Sequence, residues 1–169
     1  MNFTNHVKLT DEEFKENYEK LFNACPRPSE YKSDDYWNKV RERQKKFFEN
    51  QDKTIFIPEL PGERWVEHPT YKSYKVSNLG RVMINGEIQR QRDDPDGKLG
   101  YLVLEKYTSV LVYQLVADCF LDRTKQDPDE RLSVHHIDNN GYDCSENNLI
   151  MLTEKQHNAI HRNEMEEIF

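Results

Sequence analysis

Four of the chain's six histidines fall within 27 positions near its C-terminus: the doublet His135-His136, then His157 and His161, with Asn148 between the pairs. His157 and His161 are four residues apart in a segment that reads as helix, so both imidazoles leave one face about one turn apart. A helix offers two ligands to one metal in this way. The run Arg131 to Ile137 (RLSVHHI) has the character of a short strand and carries the doublet into a turn-forming stretch, Asp138-Asn139-Asn140-Gly141. Leu149 to Leu152 is a second apolar run of strand length, and Thr153 to Gln156 (TEKQ) matches a capping box. The order strand, loop, strand, helix predicts an antiparallel hairpin with a helix packed across it. One member of the doublet could then join His157 and His161 around a cation, leaving the other beside it to act on water.

This arrangement resembles the HNH endonucleases, the ββα-metal or His-Me finger nucleases. The likeness is carried by VHHIDNN, by the Asn in ENNLIML and by the helix TEKQHNAIH. His157 and His161 follow Asn148 by nine and thirteen residues, a spacing similar to that of bacterial colicin-type nuclease domains. The resemblance implies that His135 is a metal ligand and His136 the general base that takes a proton from the attacking water. It implies that Asn148 ties down the loop and orients His136, and that His157 and His161 complete the site for one divalent metal ion. Many phage members have Asp before the base and Asn on the helix and favour magnesium. Neutral nitrogen donors suit zinc, nickel or manganese better than magnesium, which prefers oxygen.

These residue types can hydrolyse a phosphodiester. The reaction needs a nucleophile, charge stabilisation at phosphorus and help for the departing 3′ oxygen, and one cation can serve the last two needs. A histidine with an ordinary pKa near 6.5 is a suitable base around neutral pH. A helical histidine pair also occurs in zinc proteases, but those place Glu after the first His, where this chain has His157-Asn158-Ala159-Ile160-His161.

Upstream, Tyr74 to Ser77 and Arg81 to Ile84 look like strands joined at Asn78-Leu79-Gly80, and Gly100 to Lys106 like another strand. Val112, Leu115, Val116, Cys119 and Phe120 form the stripe of an amphipathic helix. Residues 63 to 121 resemble the nuclease-associated modular domain that precedes HNH domains in phage and mobile-element endonucleases. Glu63, Trp65, YKVSNLGRV, Gly100-Tyr101 and VYQLVADCFL carry the likeness, with Tyr113 and Gln114 where the family pattern has His and Arg. It implies that the module engages DNA, with Ser77, Asn78, Arg81, Arg90 and Arg92 as donors to phosphates or base edges.

Charge opposes this expectation. The chain has 24 Lys+Arg against 31 Asp+Glu, a net charge of −7, whereas nucleic-acid binders usually carry a basic surface. The acid is densest in residues 122–169, so modest, salt-sensitive DNA affinity or dependence on a partner is expected.

The first sixty residues read as two helices without chemistry. A capping box at Thr10 to Glu13 starts one, lined by Phe14, Tyr18, Leu21 and Phe22 and ended by Pro26 and Pro28. Ser33 can cap a second, striped by Tyr36, Trp37, Val40, Gln44, Phe47 and Phe48. These stripes pack on the rest of the domain or form a homodimer or protein-partner surface. Residues 51 to 62 read as a connector, with Ile55-Phe56-Ile57 as a candidate edge strand. Three cysteines without a CxxC pair indicate neither a disulfide framework nor a cysteine zinc knuckle. Composition of 36% apolar and 33% charged residues, without a long apolar run, predicts no membrane insertion and a cytoplasmic protein, as for a phage or mobile-element enzyme in a bacterial cell.

The chain is thus expected to be α+β: a helical N-terminal extension (1–60), a small mixed module for DNA engagement (61–121) and a C-terminal ββα-metal nuclease (122–169). Its expected activity is metal-dependent hydrolysis of DNA. The principal alternative is a catalytically silent HNH-derived module that keeps its metal for stability and binds DNA or protein.

Overall fold

Thr10 starts the first helix, α1 (Asp11–Ala24), with a reciprocal capping box: its hydroxyl accepts from the Glu13 backbone amide and the Glu13 carboxylate accepts from its own. The computed structural model describes residues 9–27, 29–96, 100–121 and 130–161. Ser33 caps α2 (Asp34–Thr54) by accepting from the Tyr36 amide. This helix runs into the first four residues of the segment expected to be a connector, ending at Thr54, and Ile55-Phe56-Ile57 forms no strand. The physical reason lies outside the local sequence. Buried Gln51 uses its amide side chain to bridge the backbone of Gln91, donating to the carbonyl at 3.1 Å and accepting from the N–H at 2.9 Å. That pairing holds the last turns of α2 against a strand edge.

The middle of the chain forms a four-stranded antiparallel sheet in sequence order, β1 (Trp65–Glu67), β2 (Tyr74–Ser77), β3 (Val82–Ile84) and β4 (Glu87–Ile88). A separate antiparallel pair, β5 (Gln91–Asp93) and β6 (Leu102–Leu104), precedes α3 (Val112–Phe120). The expected stripe on α3 is buried at Val112, Leu115, Val116 and Phe120, while Cys119 is half-buried. The C-terminal hairpin pairs β7 (Leu132–His136) with β8 (Leu149–Thr153), and α4 (Glu154–His161) crosses it. Thr153 and Gln156 close the expected capping box at 3.2 and 3.0 Å.

Side chains alternate across the hairpin, so adjacent residues face opposite layers. On one face, Ile137, Ile150 and Leu152 meet Ala159 and Ile160 of α4 and Phe14, Leu21 and Cys25 of the α1 segment. On the other, Leu149 and Met151 join a core with Val76, Val82, Leu102, Leu104 and the apolar face of α3. Val40 of α2 belongs to that second core, with Tyr36, Phe47 and Phe48 packed against it. Most of the apolar residues on α1 and α2 are therefore packed within the chain, while Trp37 is exposed. No described helix is long and apolar enough to cross a membrane.

Two glycines bring the hairpin loop onto the middle segment. A Cβ on Gly141 would lie 1.6 Å from the carbonyl oxygen of Gly100, a collision between backbones that no rotamer relieves. Gly141→Ala is expected to lower stability by at least about 1–3 kcal/mol, as overpacking does. At this chain size that is a drop in melting temperature of about 2–12 °C, measurable by circular dichroism.

Candidate metal centre and cleft

The strand pleat separates the two members of the doublet. His135, opposite Ile150, faces the α1 and α4 layer, whereas His136, opposite Leu149, faces α3. His135 Nδ1 lies 3.4 Å from His161 Nε2, and its ring centroid lies 5.1 Å from that of His161 and 5.8 Å from that of His157. The helical spacing brings the centroids of His157 and His161 to 4.4 Å. The other ring nitrogen of His135, Nε2, lies 3.7 Å from Cys25 Sγ at the end of α1. One donor atom each from Cys25, His135 and His161 lies within 4.8 Å of the others. His157 borders this trio through its ring contacts.

Burial pushes the His135 imidazole down to about 3, reinforced by His161, His157 and His136. Burial also lowers His161, to about 4, with a further contribution from His157. The His136 imidazole is lowered to about 4 by burial, against the opposing pull of Asp138 and Asp143. All three are neutral at pH 7 and can donate a lone pair. The donor set suits a borderline-soft divalent cation of the zinc kind, since imidazole nitrogen and thiol sulfur meet here and no carboxylate joins the described trio.

A sign follows for the metal-free protein. Each of these imidazoles takes up a proton less readily folded than unfolded, so the unfolded chain holds more protons as pH falls below about 6.5. Stability should be full above that pH and decline as pH falls to about 3, the lowest of the three folded values. Melting temperatures in chelator across this window check it, and a flat profile would contradict neutral, buried imidazoles.

His136 sits between aromatic rings and a thiol. Its ring meets those of Tyr113 and Tyr101 edge-on at 5.3 and 6.3 Å, and Nε2 lies 3.8 Å from Cys144 Sγ. Asn148 spans the intervening loop. Its side-chain amide donates to Asp138 Oδ1 at 2.8 Å and to the Asp143 carbonyl at 2.9 Å, and its Oδ1 accepts from the Asp138 amide at 3.2 Å. The Asn148 carbonyl accepts from the Ile137 amide, directly after the doublet. Asn148 thus acts on the backbone around His136 and makes no described side-chain hydrogen bond to its ring.

Both doublet histidines, with His157 and His161, open onto one cleft of about 620 Å³. Its walls include Tyr31, Tyr36, Trp37 and Arg43 from the second helical segment and Tyr101 and Tyr113 from the middle one. Neither Cys25 nor these wall residues from the first sixty positions were picked out by sequence as part of a site. The aromatic stripe of α2 is visible in the sequence as packing, but the use of Tyr36 and Trp37 as a cleft wall depends on tertiary placement.

The five donors expected to reach DNA divide into two groups. Ser77 is fully buried and its hydroxyl accepts from the Leu79 amide, shaping the turn to β3. Asn78 accepts from the Arg64 amide at 2.6 Å and donates to the Gly62 carbonyl. Arg81, with a side chain only 12% exposed, grips buried Glu63 with two nitrogens and reaches the carbonyls of Thr54 and Ile57. The side chains of these three are taken up by hydrogen bonds within the fold. Arg90 is exposed and pairs with Asp52 at 2.7 Å, and Arg92 is exposed on β5. Neither is among the residues that line the histidine cleft.

No protein-family model matches the sequence, and no curated protein matches it. Among solved structures, the chain is similar to the HNH homing endonuclease I-HmuI, in a structure concerned with DNA binding and cleavage by that enzyme. The two are 26% identical, the match covers 60% of each chain, and the TM-score is 0.41.

Proposed function

We propose that the protein is a divalent-metal-dependent DNA endonuclease of the HNH type, with His136 as general base. The observation that carries this reading is the division of the doublet: His135 joins His161 and His157 on one face of the hairpin, and His136, one residue away on the other face, lines the same cleft. His135, His157 and His161 would hold the divalent ion, which when bound would supply charge stabilisation for phosphodiester hydrolysis.

The remaining work belongs to the chain's own side chains. Neutral His136, flanked by Tyr101 and Tyr113, is free to accept the proton of a water entering the cleft. Burial lowers its proton affinity below the ordinary value expected from sequence and makes it a weaker base than a solvated imidazole. Asn148 fixes the loop through Asp138 and Asp143, which holds the His136 backbone. Arg43, half-buried in the cleft wall, offers a guanidinium to a phosphate oxygen. Arg90 and Arg92 remain surface donors for flanking DNA. The net charge of −7 keeps a second reading open, a metal-stabilised module that binds without cutting.

The test is incubation of the metal-stripped protein with supercoiled plasmid in chelator, magnesium, manganese, nickel or zinc. Nicking or linearisation restored by a nitrogen-favouring ion is the expected result. Intact duplex and single-stranded DNA under every ion would sink the nuclease reading and leave the binding module.

A further inference from the structure

We propose that Cys25 is a ligand of this metal centre, so that the cation is held by a thiolate from the N-terminal segment together with imidazoles of the finger. The ligand class is a borderline-soft divalent ion such as zinc, and magnesium is disfavoured. The proposal deepens the metallonuclease reading and rests on it only for the presence of an ion between His135 and His161.

Three observations carry it. The first is distance. With Zn–N near 2.0–2.1 Å and Zn–S near 2.3 Å, a tetrahedral site has N···N edges of about 3.4 Å and S···N edges of about 3.6 Å. The nearest separations here are 3.4 Å for His161 Nε2 to His135 Nδ1 and 3.7 Å for Cys25 Sγ to His135 Nε2, and one donor atom from each of the three residues lies within 4.8 Å of the others, so at least one edge would shorten when an ion binds. The two nearest separations are measured to different nitrogens of one ring, and a single ion would use one of them.

The second is the way the thiol is brought there. Cys25 caps α1 and is 3% exposed, and α1 is fixed to the finger by Phe14 and Leu21 and by the Tyr18 hydroxyl donating to the Ala159 carbonyl at 3.1 Å. A core seam thus delivers the sulfur to the histidines. The third is the contrast with Cys144. That thiol lies on the opposite face, donates to the Gly141 carbonyl at 3.4 Å and, among the described histidines, meets His136. Cys25 alone among the three cysteines belongs to a described group of three donors.

Burial raises the Cys25 thiol to about 11, so the metal-free protein holds it protonated at pH 7. Binding would then form the metal–sulfur bond and release that proton to buffer. The metal would also tie the N-terminal helix to the finger.

The experiment titrates cobalt(II) into the reduced, metal-stripped full chain and follows the near-ultraviolet thiolate-to-cobalt charge-transfer absorption. Wild type and Cys144→Ser should develop the band, and Cys25→Ser should bind cobalt without it. Zinc affinity of Cys25→Ser should fall by about tenfold or more, since even a lost outer-shell partner can cost that much. Cadmium NMR of the wild type and Cys144→Ser reads thiolate ligation without altering Cys25, should that variant fold poorly. A band that persists in Cys25→Ser, or cobalt bound to wild type without a thiolate signature, overturns the proposal. No bound metal at all overturns both this and the metal-dependent reading, whereas a Cys25-dependent band with uncut plasmid upholds the ligand and overturns only the nuclease.

Discussion

His136→Ala is expected to slow DNA cleavage by about 10²–10⁴-fold, the usual contribution of a positioned general base, while leaving metal affinity nearly unchanged. The separation follows from the pleat. His136 points toward Tyr101 and Tyr113, away from the layer that contains Cys25, His157 and His161. His161→Ala should do the reverse in order of cause, losing metal first and cleavage with it. Single-turnover nicking measured at saturating metal, paired with a metal titration of each variant, checks the division. A His136→Ala protein that cuts at the wild-type rate is not missing its base. One that loses metal in parallel with His161→Ala would make His136 a ligand, and the base would have to be sought elsewhere in the cleft.

The elements of this site were legible where their causes are local. Thr10, Ser33 and Thr153 each start a helix by hydrogen bonds to residues three positions ahead, and such patterns can be read in a window of four. The α3 stripe and the hairpin with its crossing helix were equally accessible, because periodicity and turn composition decide them. What escaped is long-range. Cys25 reaches His135 across 110 positions, and nothing in its neighbourhood distinguishes it from an ordinary buried cysteine. The extent of α2 depends on Gln51 finding the edge at Gln91, 40 residues on. Arg81 was assigned to DNA for its chemistry, yet its partners, Glu63 and the carbonyls of Thr54 and Ile57, lie 18 to 27 residues earlier. A guanidinium suits phosphate and carboxylate alike, so residue type alone cannot choose between them.

Arg81 therefore yields the largest expected effect on stability. Arg81→Ala would leave the Glu63 carboxylate, whose side chain is fully buried, without its partner, and would strip the donors from two backbone carbonyls. Breaking a buried ion pair on one side costs about 3–5 kcal/mol, or a melting temperature lower by about 6–20 °C at this size. Removing both charges should be milder: Glu63→Leu with Arg81→Met replaces two desolvated ions by apolar volume and is expected to recover much of the loss. Arg81→Lys should fall between, because an ammonium keeps the charge but cannot hold both carboxylate oxygens in parallel. Thermal melts of the three variants test the order, and DNA affinity measured well below each melting point separates structure from recognition. If Arg81→Lys keeps its stability and loses DNA binding, the side chain serves DNA after all. Unchanged affinity in the double variant would instead leave DNA contact to the exposed Arg90 and Arg92 and to the guanidinium of Arg43 in the cleft.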